Sequence, residues 1–366
     1  MPDLVTGVVK KTSKGKFVLR DAARSFRSYG REVVIPAALM YKCGLVEGAA
    51  VTGATRIDRS VVLLETVESV CGLTVDEFKN RTPYQELTAV SPYQRFDLEK
   101  CGDLSMRIVD LIAPMGKGTR GLIVSPPKAG KTTILAQLAK GILADDPKAK
   151  IIILLIDERP EEVTHFKRGV EGATVVASSI DQTIDEHIEL AEILLAYIKI
   201  QLECGRDIVV LVDSITRMGR AFNRKGGGSG RIMSGGLEAG ALEIPRRFLG
   251  MARKIENGGS VTIIATALVD TGSRMDQLIF EEFKGTGNSE IILSRSLAEQ
   301  RIYPAIDIPA SGTRMDEALW GAANSKKLTN LRRGLANQKP AESLNALITA
   351  LKKYPTNAEL FKIIPS

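Results

Sequence analysis

Residues 122–136 constrain the fold most tightly. The apolar run Leu122–Val124 leads into Ser125-Pro-Pro-Lys-Ala-Gly-Lys-Thr132, and Thr133-Ile-Leu-Ala136 then opens a helical pattern. A buried strand that turns through a small, Gly-containing loop straight into a helix belongs to a parallel sheet covered on both faces by helices. The loop matches G-x-x-x-x-G-K-[ST], with Ser125 at the first position in place of Gly.

That spacing carries a specific chemistry. Gly130 lets the backbone approach an anion, and successive amides and the helix N-terminus attract phosphate. Lys131 reaches the β and γ phosphates, and the Thr132 hydroxyl holds Mg²⁺. The chain is therefore expected to bind and hydrolyse a nucleoside triphosphate. Two further apolar runs end in acids, Ile151–Ile156 before Asp157-Glu158-Arg159 and Ile208–Val212 before Asp213. Parallel strands deliver their carboxyl ends to the ligand crevice. Asp213 then suits the Mg²⁺ shell, and Glu158 suits polarisation of the attacking water. Arg159, Arg217, Arg301 and Arg314 are candidates for clamping phosphate oxygens in the transition state. Gly116-Lys-Gly-Thr-Arg-Gly121 spells G-x-G-x-x-G but precedes a strand instead of following one, which argues against a dinucleotide fingerprint. It reads as a turn wrapping the phosphate region.

From about Cys101 onward, apolar strands alternate with amphipathic helices. Strands are expected at Leu122–Val124, Ile151–Ile156, Thr174–Ala177, Ile208–Val212, Ser260–Ala267 and Ile291–Leu293. Helices are expected near Thr132–Leu143, Asp185–Glu203, Leu237–Ile255, Ala341–Lys353 and Asn357–Ile364. Residues 1–66 show short apolar runs broken by Gly and charge, at Phe17–Leu19, Val33–Ile35, Ala50–Thr52 and Val61–Glu65, with one helical turn near Ala37–Tyr41. A small five-stranded OB-like barrel fits that spacing. Residues 67–100, with Pro83, Tyr84, Pro92 and Tyr93 and little periodicity, read as a linker lying along a neighbouring domain.

The net charge of +7 is concentrated at the start, where residues 1–60 hold eleven Lys and Arg against five acids. A basic module joined to an enzyme-like body points to a polyanionic partner. No apolar run approaches the roughly 20 residues that span a bilayer, and Met-Pro-Asp-Leu-Val is no secretory signal, so no membrane partner and a cytoplasmic location are expected. Cys43, Cys71, Cys101 and Cys204 are scattered without a C-x-x-C pair, and only His165 and His187 are present. Reduced thiols are expected in place of a disulfide frame or a zinc site.

Longer phrases narrow the class. Arg120-Gly-Leu-Ile-Val-Ser-Pro-Pro-Lys-Ala-Gly-Lys-Thr132, Leu154-Leu-Ile-Asp-Glu-Arg-Pro-Glu-Glu-Val163, Leu211-Val-Asp-Ser-Ile-Thr-Arg217, Thr262–Ser273, Glu281–Asn288 and Ser311-Gly-Thr-Arg314 closely resemble the bacterial transcription termination factors of the Rho family. The resemblance runs from about Gly102 to Ile364. It implies an α/β fold, a RecA-like phosphate-loop ATPase domain over residues 101–366 with a helical tail, preceded by an OB-like RNA-binding barrel over 1–66. It further implies a homohexameric ring that pulls single-stranded nascent RNA through its pore with ATP and Mg²⁺ and releases the transcript from RNA polymerase. Lys128, Ala129, Gly130, Lys131, Thr132 and Thr133 match nucleotide contacts, as do Arg159 and the stretch Gly116, Lys117, Gly118, Thr119, Arg120 and Gly121. Glu158 matches the catalytic carboxylate, Asp213 the Mg²⁺-shell acid, and Tyr303 the aromatic that stacks on the base. Arg314 matches an arginine finger reaching across a subunit interface, with Arg301 nearby.

Two pore loops are also implied, with Arg231 in Gly226–Gly235 and Arg274 in Thr271–Arg274 replacing the family's Lys. In the barrel the family's Gly-Phe-Gly-Phe-Leu-Arg strand becomes Gly15-Lys-Phe-Val-Leu-Arg20, so Lys16 and Val18 replace both stacking aromatics while Arg20 is kept. Weaker base selectivity and salt-sensitive phosphate attraction follow. The loop and fold alone also admit a rotary or export ATPase subunit, or a non-catalytic RNA-binding ring. The Leu-Ile-Asp-Glu-Arg-Pro phrase and the two basic pore loops argue against the former; the latter predicts that Glu158→Ala leaves function intact, whereas an RNA-dependent ATPase loses turnover and keeps its assembly.

Overall fold

The computed structural model describes residues 4–365 apart from Tyr29, residues 226–235 and Ala239. Near the N-terminus, β1 (Leu4–Lys11), β2 (Phe17–Arg20), β3 (Val33–Ile35), β4 (Ala50–Asp58) and β5 (Val61–Leu64) pair in the order β1-β2-β3-β5-β4, and β4 closes back on β1. β6 (Ser69–Val70) adds to the β4 edge. The helix Ala37–Lys42 lies in the chain between β3 and β4. This is a closed five-stranded barrel of OB-like topology. Its interior collects alternate residues of each strand, Val9, Ile35, Val51 and Leu64 among them, with Phe17 and Leu19 packed beside them.

The second sheet is built from β7 (Ala89–Val90), β8 (Arg120–Ser125), β9 (Lys150–Glu158), β10 (Thr174–Ser179), β11 (Asp207–Asp213), β12 (Arg253–Ile255), β13 (Ser260–Leu268), β14 (Ser289–Ile292) and β15 (Gly312–Thr313). Its path is β10-β9-β11-β13-β8-β14-β15, parallel throughout except for the final pair. The parallel strands are buried on both faces, which explains their unbroken apolar runs. One face packs on the helices Leu104–Ile112 and Lys131–Asp145 and on the C-terminal helices, the other on Ile184–Glu203 and Ile215–Arg224.

The single helix expected over Leu237–Ile255 is instead a helix at Glu243–Gly250 followed by β12. β12 pairs with β13 on one side and with β7 on the other, so distant strands override the local pattern. Helices that the sequence pattern did not single out, among them Leu104–Ile112, Pro160–Gly169, Ile215–Arg224, Arg274–Phe283 and Ala322–Ala336, complete the layers. The segment from Glu68 to Lys100 is ordered by specific contacts. Thr74 and Glu77 form a reciprocal capping box on the helix Val75–Lys79, and Arg81 stacks on Phe78 while its Nε bonds Glu203 at 2.9 Å.

The barrel sits on the helix Ile184–Glu203. Val8 and Phe26 join the apolar cluster of Leu190, Ile193 and Tyr197. A Cβ on Gly48 would lie 2.4 Å from the carbonyl carbon of Ala196, so only glycine permits this approach of loop to helix. Ser25 Oγ accepts the Ala177 N–H at 2.9 Å, tying the β2–β3 loop to β10.

Candidate nucleotide site

β8 ends at Ser125, and the chain turns through Lys128 (φ 65°) and Gly130 (φ 96°) into the helix Lys131–Asp145. Left-handed residues on this turn aim backbone N–H groups into one concavity. No side chain caps this helix, whereas Thr183 and Thr356 cap theirs with full capping boxes. The first N–H groups of the helix therefore remain open to an anion.

Three charged side chains converge beside the loop. Lys131 Nζ forms an ion pair with Asp213 Oδ1 and lies 4.0 Å from Glu158 Oε2. Asp213, at the end of β11 and 1% exposed, also accepts a hydrogen bond from Thr266 Oγ1 at 2.9 Å. Glu158, at the end of β9 and 4% exposed, takes the Arg159 N–H at 3.2 Å through Oε1. Its Oε2 has no hydrogen-bond partner among the described residues, although Arg217 Nε is only 3.1 Å away. Burial first, and then the neighbouring charge of Asp213, push the Glu158 carboxyl above its ordinary value, against the opposing pull of Arg217 and Lys131. Behind it, Arg217 Nη1 donates to the Asp157 carbonyl at 2.8 Å, and the Asp157 carboxylate pairs with Arg224 at 2.7 Å.

The donor set suits a hard divalent cation shared with phosphate. Asp213 and Thr132 supply oxygens, and the described residues hold no cluster of three or more His, Cys, Asp or Glu that would cage a metal alone. Mg²⁺ fits that arrangement, since it keeps substrate phosphates and water as its other ligands.

The remaining predicted residues divide between the two ends of the sheet. Ala129 is buried under the loop, while Lys128 and Thr133 are exposed on it. Tyr303, 47% exposed, stands beside the loop, its Cε1 3.9 Å from where a Cβ on Gly130 would be. Arg159 is exposed at the start of the helix Pro160–Gly169, next to Glu158. The turn Gly116–Gly121, expected to wrap the phosphate region, lies at the other end of β8, roughly 17 Å from the loop at strand rise. Lys117 is held there by Asp207, the first residue of β11, at 2.8 Å and by Asp146, which caps the C-terminus of the helix Lys131–Asp145, at 3.6 Å. Gly116, Gly118 and Thr119 are buried in the turn, where Thr119 Oγ1 accepts the Gly116 N–H. Arg314 shares this far end: its N–H bonds Asn288, whose side chain accepts from Arg120, and its charge acts on Arg120 together with that of Arg253. Neither Arg314 nor this turn can touch phosphates bound by its own loop.

Arg301 is exposed in the segment that carries Tyr303, and Arg274 is exposed at the head of the helix Arg274–Phe283, on the loop side of the sheet. Arg231 lies outside the described residues. In the barrel, Phe17 packs partly buried against the core cluster, and Val18, on the other face of β2, is itself buried. Arg20, with its side chain 11% exposed, is paired with Glu32 at 2.8 Å and lines the cavity of about 280 Å³ between barrel and second sheet. Thr266 and Asp157 were not singled out as site residues; a threonine interrupting the apolar run of β13 is the only trace of the first.

Fold and site together define a nucleotide-binding phosphate-loop protein with an OB-like barrel on its flank. Residues 105–313 match the nucleotide-binding domain of the ATP synthase alpha/beta family. Over 365 residues the chain is 44% identical to transcription termination factor Rho of Aquifex aeolicus (strain VF5), covering 98% of this chain and 84% of that one. The chain belongs to the transcription termination factor Rho family.

Identity to the Micrococcus luteus member is 46% over 348 residues, covering 91% of this chain and 50% of that one. The Mycobacterium leprae (strain TN) member is 46% identical over 338 residues, 90% of this chain and 55% of that one. The chain thus spans about half the length of these two relatives. A prototypical ATPase from the type III secretion system of pathogenic bacteria superposes with a TM-score of 0.63 at 21% identity, covering 85% of this chain and 94% of that one. The assembled ATPase EscN from enteropathogenic E. coli gives 0.63 at 18%, covering 100% and 98%. At those identities the likeness is one of fold.

Proposed function

We propose that this chain is one subunit of a cytoplasmic homohexameric ring that hydrolyses ATP as it moves along single-stranded nascent RNA, and that it terminates transcription by releasing the RNA from RNA polymerase. The observation that carries the hydrolytic half is the buried Glu158 carboxylate, whose Oε2 makes no hydrogen bond among the described residues and lies 4.0 Å from Lys131 of the phosphate loop and 3.1 Å from Arg217. Membership of the Rho family supports the RNA-directed half.

Each step follows from this chain's own groups. The amides at the head of the helix Lys131–Asp145 receive the β and γ phosphates, and Lys131 exchanges its Asp213 partner for phosphate oxygen. Mg²⁺ held by Thr132 and Asp213 neutralises charge on those phosphates when bound. Glu158 accepts a hydrogen bond from the attacking water and takes its proton as the γ phosphate leaves. Arg217 Nε offers that water a second contact and keeps Oε2 oriented. Tyr303 stacks on the base, and Arg159 contacts the nucleotide from the Glu158 side. Arg314 and the stretch Gly116–Gly121 serve a nucleotide bound by the adjacent subunit, the arrangement that their place at the far end of β8 supports. Arg231 and Arg274 contact RNA in the pore. Arg20 serves RNA on the barrel once freed from Glu32.

The test is ATP hydrolysis by wild type and Lys131→Ala with and without poly(C) and poly(U). RNA-stimulated turnover of similar size with both polymers, lost in the variant, is expected. Hydrolysis indifferent to RNA refutes the RNA-directed reading, and strong poly(C) preference refutes the loss of base selectivity inferred from Lys16 and Val18.

A further inference from the structure

Cys71 and Cys204 reach each other across the seam between the two sheets. Cys71 follows β6 at the exit from the barrel, and Cys204 caps the helix Ile184–Glu203 on which the barrel sits. Both lie in one apolar cluster with Val9, Val51, Val70 and Ile200, where each thiol bears on the ionisation of the other.

Cys71 is pinned from every side. Its φ of 53° lies in the left-handed region, uncommon for a residue with a side chain. Its N–H donates to the Ala50 carbonyl at 2.6 Å, its carbonyl accepts from Arg206 Nε at 3.1 Å, and its Sγ accepts the Ala50 N–H at 3.4 Å. Those bonds fix where the sulfur points. The surroundings also make the two thiols unequal. The Cys204 thiol, the Ala50 amide and the charges of Lys150 and Arg81 hold Cys71 below its ordinary value despite burial, while the same contact and burial push Cys204 up. Of the other cysteines, Cys101 is raised by burial and donates to the Leu98 carbonyl at 3.1 Å. One sulfur of the pair is therefore set up as nucleophile and its neighbour as resolving thiol.

We propose that Cys71 and Cys204 are an oxidisable pair, a modification site at which a hydroperoxide installs a covalent clamp between the barrel and the nucleotide-binding sheet. Both residues are buried, which favours a small peroxide over a bulky disulfide as the oxidant. The Cys71 thiolate attacks the O–O bond of hydrogen peroxide, forming a sulfenic acid and releasing hydroxide, which takes up a proton. Cys204 then attacks the Cys71 sulfur; the S–O bond breaks, the Cys204 proton leaves with the oxygen, and a second water departs. Two thiols are oxidised to one disulfide, and one peroxide is reduced to two waters.

The full chain is treated with stoichiometric hydrogen peroxide and mapped by mass spectrometry without reduction. The expected result is a loss of about 2 Da, two hydrogens, with one cross-linked peptide joining Cys71 to Cys204, reversed by dithiothreitol. In Cys204→Ser the oxidation stops at a sulfenic acid on Cys71 that dimedone traps. Oxidation of Cys43 or Cys101 ahead of Cys71, or over-oxidation of Cys71 in wild type without the cross-link, overturns the proposal. The wild-type chain alone decides between these outcomes, so a misfolded variant does not blunt the test.

Discussion

Arg217 Nε and Glu158 Oε2 stand 3.1 Å apart, both buried and neither hydrogen bonded among the described residues. The guanidinium is also anchored through Nη1 to the Asp157 carbonyl at 2.8 Å, so Arg217 fixes the carboxylate beside it. Glu158→Gln keeps the shape and removes the base, so turnover falls by about 10²–10⁴-fold, while ATP binding is retained. Single-turnover hydrolysis and equilibrium binding of a fluorescent ATP analogue read the two effects separately. Near wild-type hydrolysis in this variant removes Glu158 from the chemistry.

The raised Glu158 carboxyl sets a pH dependence. Burial and then Asp213 hold it above 4.5, so the acid limb of kcat/KM is displaced upward from the ordinary carboxylate range. The folded chain favours the neutral form. The stability that this supplies is fully present below the unfolded value and is lost as pH rises through the higher folded value. Thermal melts of Glu158→Gln are therefore flatter with pH across that window than those of wild type. Identical slopes would show that the carboxyl is unperturbed.

Lys131 neutralises Asp213 before any nucleotide arrives. Lys131→Ala removes the phosphate contact and leaves a buried carboxylate with Thr266 alone, costing about 3 kcal/mol of stability. Adding Asp213→Asn restores the denaturation midpoint without restoring hydrolysis. A double variant no more stable than the single one contradicts this account.

Tyr303 stands over the turn at Gly130. Tyr303→Ala loses base stacking of about 1–3 kcal/mol, raising the Kd for ATP by roughly 5- to 150-fold, and Tyr303→Phe does not. Calorimetric titration checks both variants, and an unchanged Kd in the alanine variant places the base elsewhere.

Arg314 lies at the far end of β14 from its own phosphate loop. Arg314→Ala and Glu158→Gln rings are each expected to lose about 10²-fold or more in turnover. Rings reassembled from a mixture regain activity, because some interfaces then pair an intact Glu158 with an intact Arg314. Absence of any recovery, with mixed rings verified by native mass spectrometry, would place both residues in one subunit's site.

The strand, loop and helix around Ser125–Thr132 were legible in the amino-acid order because everything that defines them is local: an apolar run, left-handed turn positions and a helix left uncapped for an anion. The acids ending β9 and β11 were equally plain, since a buried parallel strand shows as an unbroken apolar stretch and its end as the first charge. Other features depend on residues far apart in the chain. The helical pattern near Leu237–Ile255 gave way to β12 because β7 and β13 offered it two ladders of hydrogen bonds. Arg20, exposed by any reading of its strand, is closed off by Glu32 and by the helix beneath the barrel. Tyr303 and Arg314 are near neighbours in sequence yet stand at opposite ends of the sheet, because the chain leaves β14 at the loop end and returns antiparallel through β15. Local sequence determined which residues can hold a phosphate. Tertiary pairing decided that Arg314 faces away from that phosphate, because strand direction sets the end of the sheet at which each side chain emerges.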